Sequence, residues 1–207
     1  MSRTALPSAA PLALRRNTAA VSTAAGIGGL TLVLSLLALL GPDLTVSNTS
    51  MGMTHYMELL GIGSPRNLLL FMGVPVVLAE TLAITEIALL FKPDQPTWVR
   101  KLNRAAGLLA GPAMVAIFLH LALRAIVPIT LTGSWRGPAD IIAVGFYLAG
   151  VVPFAGITLV ELGLLGDTQH EARRLRAVFI SVFLVVAHVA MIFGMMDPGV
   201  LGYLMHH

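Results

Sequence analysis

Apolar residues in this chain come in long unbroken runs, without the alternation of a half-buried strand or the single stripe of a surface helix. Five such runs can be drawn, approximately Thr23 to Leu40, Leu68 to Phe91, Ala105 to Val127, Asp140 to Leu165 and Ala177 to Met196. At about 1.5 Å rise per residue, each reaches across a hydrocarbon core of about 30 Å. Barrel strands would be shorter and would alternate in polarity. The breaks are Gly41-Pro42-Asp43, Lys92-Pro93-Asp94-Gln95-Pro96, Gly133 to Pro138, Gly166-Asp167 and Asp197-Pro198-Gly199. Such residues stop helices through missing donors, fixed dihedrals or side-chain competition for backbone groups. The pattern predicts an all-α polytopic membrane bundle of five transmembrane helices. It divides into a flexible tail over 1–22, a bundle over 23–197 and a second tail over 198–207.

Composition agrees with lipid as the main solvent. Of 207 residues, 57% are hydrophobic and 11% are charged, and the mean hydropathy is +0.86. A soluble domain of this size has too little interior to hide that much apolar surface. Cysteine is absent, which excludes disulfides, iron–sulfur clusters, thiolate metal sites and cysteine nucleophiles. The net charge is +3, but the basic residues are scattered through short loops with no aromatic-basic module, so nucleic acid is not an expected partner.

Those basic residues carry topology instead. Arg3, Arg15 and Arg16 precede the first run; Lys92, Arg100, Lys101 and Arg104 separate the second and third; Arg173, Arg174 and Arg176 separate the fourth and fifth. The alternate loops hold only Arg66 and Arg136. The bias predicts a multi-pass protein of the cytoplasmic (inner) membrane with its N-terminus in the cytoplasm and its C-terminus outside. The expected partners are the lipid bilayer and a second copy or a larger membrane complex, because an odd number of spans without a visible repeat does not make a duplicated transporter.

Three ionisable residues fall near the middle of separate runs: Glu80, His120 and His188. Such groups are costly in a membrane and mark function by default. Converging, they would make a site for a transition metal ion, Cu, Zn or Fe, with an open coordination position. Met191 and Met195 share the helical face of His188 and are secondary candidates, although methionines at this spacing are more often packing. The two histidines alone would instead serve as axial ligands of one haem b, with Ala113, Ala116, Ala187, Ala190 and Gly194 leaving room for a porphyrin. A third reading gives all these groups a purely structural role in an accessory subunit. Glu86, deeper toward the basic side, extends Glu80 into a candidate ion or proton path, although six residues of separation put the two on different helical faces.

Outside the runs, the segment from Met51 to Glu58 concentrates methionines with His55 and Glu58. It reads either as a metal-capturing surface or as an interfacial amphipathic helix with Tyr56 at headgroup level. Met205-His206-His207 would assist capture. Arg136 and Asp140 frame a loop in which Asp140 caps the next helix and Trp135 fixes depth. Pro75, Pro112 and Pro153 interrupt three runs and predict kinks that free carbonyls toward a cavity.

The pieces Thr54-His55-Tyr56-Met57-Glu58-Leu59, Ala79-Glu80-Thr81, Trp135-Arg136-Gly137-Pro138-Ala139-Asp140, and Ala187-His188 through Met195-Met196-Asp197-Pro198 resemble those of small uncharacterised bacterial integral membrane proteins labelled permease. The resemblance covers about residues 51–198 and implies solute passage without naming a substrate or a binding residue. Motifs of soluble enzymes, a P-loop, a G-x-S-x-G elbow, an H-E-x-x-H pair or a dinucleotide fingerprint, are missing from the sequence. The sequence therefore predicts a permease-like protein with an intramembrane His/His/Glu site, and no enzyme activity.

Overall fold

The structure, a computed structural model, describes residues 10–40, 52–62, 64–92 and 94–201, with side chains described from residue 20 onward except that of Val200. Helix α1 runs Ala10–Leu39 and a short α2 runs His55–Gly61. Four long helical segments follow: α3 (Arg66–Phe91), α4 (Thr97–Thr132), α5 (Pro138–Glu161) and α6 (Gln169–Gly194). A single 3-10 turn, Pro198–Leu201, ends the described chain. Among the described residues there is no strand, and five helices are long and apolar enough to cross a membrane.

Three boundaries differ from the sequence reading. Helix α1 begins at Ala10, inside the expected tail. Helix α4 overruns its apolar run at both ends, because Thr97 to Arg104 continues the helix beyond the hydrophobic window and the turn at Pro128 is absorbed rather than broken. Helix α6 starts early at a local capping signal: Thr168 Oγ1 accepts from Glu171 N while Glu171 Oε2 accepts from Asp167 N, so one orphan donor of the first turn and the backbone N–H just before the cap are satisfied. The Gly41-Pro42-Asp43 break and Met205-His206-His207 lie outside the described residues.

Helix α4 is the central post. It packs against α1, α3 and the second half of α5, while α6 packs along both halves of α5 and touches α3 more sparingly. Helices α3, α4, α5 and α6 thus form a ring, with α1 outside it against α4. The α4–α5 contact is close because its α4 face is glycine: a Cβ on Gly107 would sit 2.7 Å from Glu161, and one on Gly111 would sit 2.6 Å from Thr158 Oγ1. Small residues four apart let membrane helices approach at backbone distance. Thr158 uses that approach to enter the helix ladder, its hydroxyl donating to Gly107 O at 2.6 Å and accepting from Gly111 N at 2.8 Å.

The prolines act as expected in one place and through an unexpected device. Helix α3 widens into a π-helical turn at Leu69–Gly73, directly before Pro75, and α4 does the same at Ala122–Ile126, before Pro128. A proline cannot donate to the carbonyl four residues back, and one wider turn lets the helix continue past it. The carbonyl left without a donor by Pro75 is that of Phe71. Tyr147 O–H of α5 donates to it, tying the π turn across the bundle.

Candidate functional site

Between α3, α4, α5 and α6 lies a cavity of about 280 Å³. Its walls are almost wholly apolar: Phe71, Pro75 and Ala79 from α3, Met114 from α4, Gly150 from α5 and Phe183 from α6, with Tyr56 and Tyr147 among the lining residues. Glu80 and His188 also line it, from two different spans. His188 Nδ1–H donates to Leu184 O at 2.6 Å, one turn back on its own helix. In its neutral form the ring then has Nε2 as its acceptor, the arrangement that ligating or proton-accepting histidines use to fix their orientation. Met191, one turn further on, lines the same cavity, whereas Met195 lies exposed beyond it.

His120 does not join this group. Its ring is buried, stacked on Phe71 at 5.7 Å, and Nδ1–H donates to Ala38 O of α1 at 2.6 Å. One turn along α4, Arg124 donates to Leu39 O at 2.7 Å. Ala38 and Leu39 end α1, where the last carbonyls have no intrahelical donors and the dipole favours donors and cations. His120 and Arg124 therefore cap α1 and bind it to the ring. The expected convergence of Glu80, His120 and His188 is corrected accordingly, and among the described residues no group of three or more His, Asp or Glu is arranged to hold a metal ion. The haem alternative meets the same geometry: His120 faces α1, while His188 faces a cavity that His120 does not line.

The remaining ionisable residues gather at the two ends of the bundle. At the α2 end, Asp140 is fully buried and accepts three hydrogen bonds: from His55 N at 2.6 Å, from His55 Nδ1 at 2.5 Å and from Arg136 N at 3.2 Å. Arg136 donates to Glu58 and, at 2.6 Å, to Met53 O. Thr54 caps α2 by accepting from Met57 N and donates to Gly194 O at 2.5 Å. Gly137, at φ 125°, supplies a backbone turn open to glycine, which brings Arg136 N onto the Asp140 carboxylate. His55 and Glu58 thus do not stand on an exposed capture surface. His55, Tyr56, Glu58, Leu59 and Leu60 are all buried, and Tyr56 packs against Tyr147 and Gly194. Burial pushes the Tyr56 phenol up to about 12, since an anion there would lose its water.

At the opposite end Arg176 of α6 reaches Glu86 of α3 at 2.5 Å and Glu161 of α5 at 2.6 Å, and donates to Asn103 Oδ1 of α4 at 3.2 Å. Asn103 donates in turn to Thr85 Oγ1 at 2.8 Å. Glu86 is therefore committed to an interhelical ion pair at this end and does not extend Glu80 along one face. The sequence reading missed His55 with Asp140 and Arg176 with Glu86. Residue types gave a partial signal, since Arg136 and Asp140 already read as a clasp and Glu161 lies one short loop from Arg176, but His55 and Asp140 stand 85 positions apart and Glu86 and Arg176 stand 90 apart.

Neither a curated protein nor a solved structure matches this chain. Residues 51–207 match a family of unknown function, DUF6803. That stretch begins after α1 and takes in α2, the four-helix ring, the cavity and both end clusters, so the chain belongs to the DUF6803 family.

Proposed function

We propose that this protein is a permease-like protein of the cytoplasmic membrane, N-terminus inside, that binds a small ligand in the central cavity and uses Glu80 and His188 to take up a proton or a cation with it. One observation carries the reading: two ionisable side chains from separate spans line a single apolar cavity. An apolar pocket with a few polar groups is the usual form of a ligand site, and intramembrane ionisable residues mark substrate or ion paths. The resemblance to permease-labelled proteins points the same way, and the excess of Lys and Arg at the Arg176 end supports that end as cytoplasmic.

Met191 favours a second reading, in which the cargo is a cuprous or zinc ion. His188 Nε2, a Glu80 oxygen and the Met191 thioether would then be the donors, a set compatible with either ion. Titration of the purified full-length protein with Cu(I) and with Zn²⁺, followed by elemental analysis, separates the two. A bound ion lost in both Glu80→Gln and His188→Ala supports metal handling. A protein that takes up neither ion while releasing or absorbing protons on ligand binding supports the first reading, and proton and ion uptake untouched by both substitutions removes the site.

A further inference from the structure

The lining of the cavity divides sharply by exposure. Val76, Leu184 and Met191 are 38%, 37% and 38% exposed, and Glu80 and His188 are exposed as well. Tyr56, Phe71, Ala79, Met114, Tyr147 and Phe183 are all buried. Every exposed lining residue belongs to α3 or α6. On α3 they are spaced i and i+4; on α6 they are spaced i, i+4 and i+7, so each set forms one helical stripe. The two stripes face each other across the pair of ring helices that touch most sparingly. The residues just outside the rim, Val77 and Val185, are apolar and 62% and 63% exposed.

Buried residues flank the exposed stripes at both ends. Toward α2, Tyr56 seats against Gly194 and Tyr147, whose hydroxyl is tied to Phe71 O. Toward Arg176, the next turns of the same two helices carry the buried Leu82 and Ile180. The exposed lining is thus confined to two helices long and apolar enough to cross a membrane, on the side that acyl chains would cover.

We propose that the cavity opens sideways into the bilayer through a portal between α3 and α6, and that its ligand is a lipid-soluble amine whose nitrogen is held by Glu80 and His188. The inference rests on the cavity being the ligand site. Its ligand class follows from the donors and acceptors on the rim. His188 Nδ1–H is committed to Leu184 O, which leaves Nε2 as an acceptor, and a carboxylate is acceptor-only. Both groups therefore ask for a donor-bearing, cationic head and repel an anion. Phe183 and Tyr147 add aromatic rings to the lining, a residue type whose ring face attracts a cation. An ammonium meeting a carboxylate and a neutral amine meeting a protonated carboxyl end in the same ion pair, so protons balance by either route. At about 280 Å³ the space suits a single ring with short substituents, near the small end of ligand pockets.

The absence of cysteine makes the test direct. The full-length Leu184→Cys protein is labelled with bimane in phosphatidylcholine nanodiscs. Its emission is quenched with acyl-chain-brominated phosphatidylcholine or with aqueous iodide, and N,N-dimethylbenzylamine is titrated against isobutylbenzene, its neutral isostere. The portal predicts strong quenching by brominated lipid, weak quenching by iodide, and saturable relief of the lipid quenching by the amine. Affinity for the amine is expected to exceed that for isobutylbenzene at least tenfold and to fall at least tenfold in Glu80→Gln. Val76→Trp, a bulky change at an exposed rim position, is expected to abolish relief while leaving helical content unchanged.

Dominant iodide quenching overturns the lateral portal. Equal affinity for amine and isostere, indifference to Glu80→Gln, or a cavity filled by a co-purified acyl chain overturns the amine class. Both of these failures are distinct from failure of the site itself, because Glu80- and His188-dependent uptake of Cu(I), Zn²⁺ or protons is read in separate titrations.

Discussion

The two ends of the bundle hold their buried charges in different ways. At the α2 end the acids are held by short segments and largely through backbone: Asp140 takes two of its three hydrogen bonds from the main-chain N–H groups of His55 and Arg136, and Arg136 itself returns to the carbonyl of Met53. At the Arg176 end the contacts run between side chains on the bodies of four long helices, and one guanidinium serves two carboxylates, with Arg176 17% and Glu86 22% exposed. Backbone donors fix geometry because they cannot change rotamer. A side-chain network can exchange partners while its helices shift. The α2 end is therefore built as a fixed plug, and the Arg176 end as a side-chain network bridging four helices.

Breaking the plug tests this most severely. Asp140→Ala strips the partner from three donors at once, and thermal unfolding in detergent is expected to register a loss of about 3–5 kcal/mol, the range for a severed buried pair. Arg176→Met leaves Glu86 and Glu161 without their shared cation. Its expected cost is smaller, about 1–3 kcal/mol, and is largely recovered in the triple variant that also carries Glu86→Gln and Glu161→Gln. Recovery of that kind is not expected for Asp140→Ala combined with His55→Ala, since Arg136 N stays unsatisfied. Equal losses at both ends would erase the distinction.

A subtler probe concerns His120, which sits at neither end. His120→Ala removes a donor from the C-terminus of α1 and is expected to cost about 1 kcal/mol. Hydrogen exchange would place the loss in the last turn of α1, with ligand or ion binding at Glu80 and His188 unchanged. A change in that binding would return His120 to the site. An effect confined to alkaline pH belongs to Tyr56 in the plug. Its folded-state value of about 12 lies above the ordinary 10.0, so the stabilisation is complete below the ordinary value. It is lost as pH rises from near 10 toward 12, because the unfolded phenol ionises first. The alkaline loss disappears in Tyr56→Phe.

How much of this was legible depends on whether the information is local. The five spans could be read because lipid exposure writes itself on composition, and a polar break is visible where it occurs. The cap before α6 was local too, Thr168 and Glu171 being neighbours, but it hid beneath a hydrophobic reading that started at Ala177. His120 and His188 looked equivalent in depth. Depth along a helix says nothing about rotation around it, and rotation sent one ring to the end of α1 and the other to the cavity. For Asp140, sequence offered the helix-capping role, while the true partner, His55, lay 85 positions away.

By itself, then, the sequence determined that the chain is helical, that five helices are apolar enough to span a membrane, and which few ionisable residues lie within them. The tertiary structure decided which of those residues meet. It separated His120 from His188, joined His55 to Asp140 and Arg176 to two glutamates, and left a cavity where α3 and α6 touch least. The physical reason is that hydrophobic transfer is a sum over single residues and survives any rearrangement of their neighbours, whereas a hydrogen bond needs two atoms within about 3 Å. That distance is set by the azimuth and packing of whole helices.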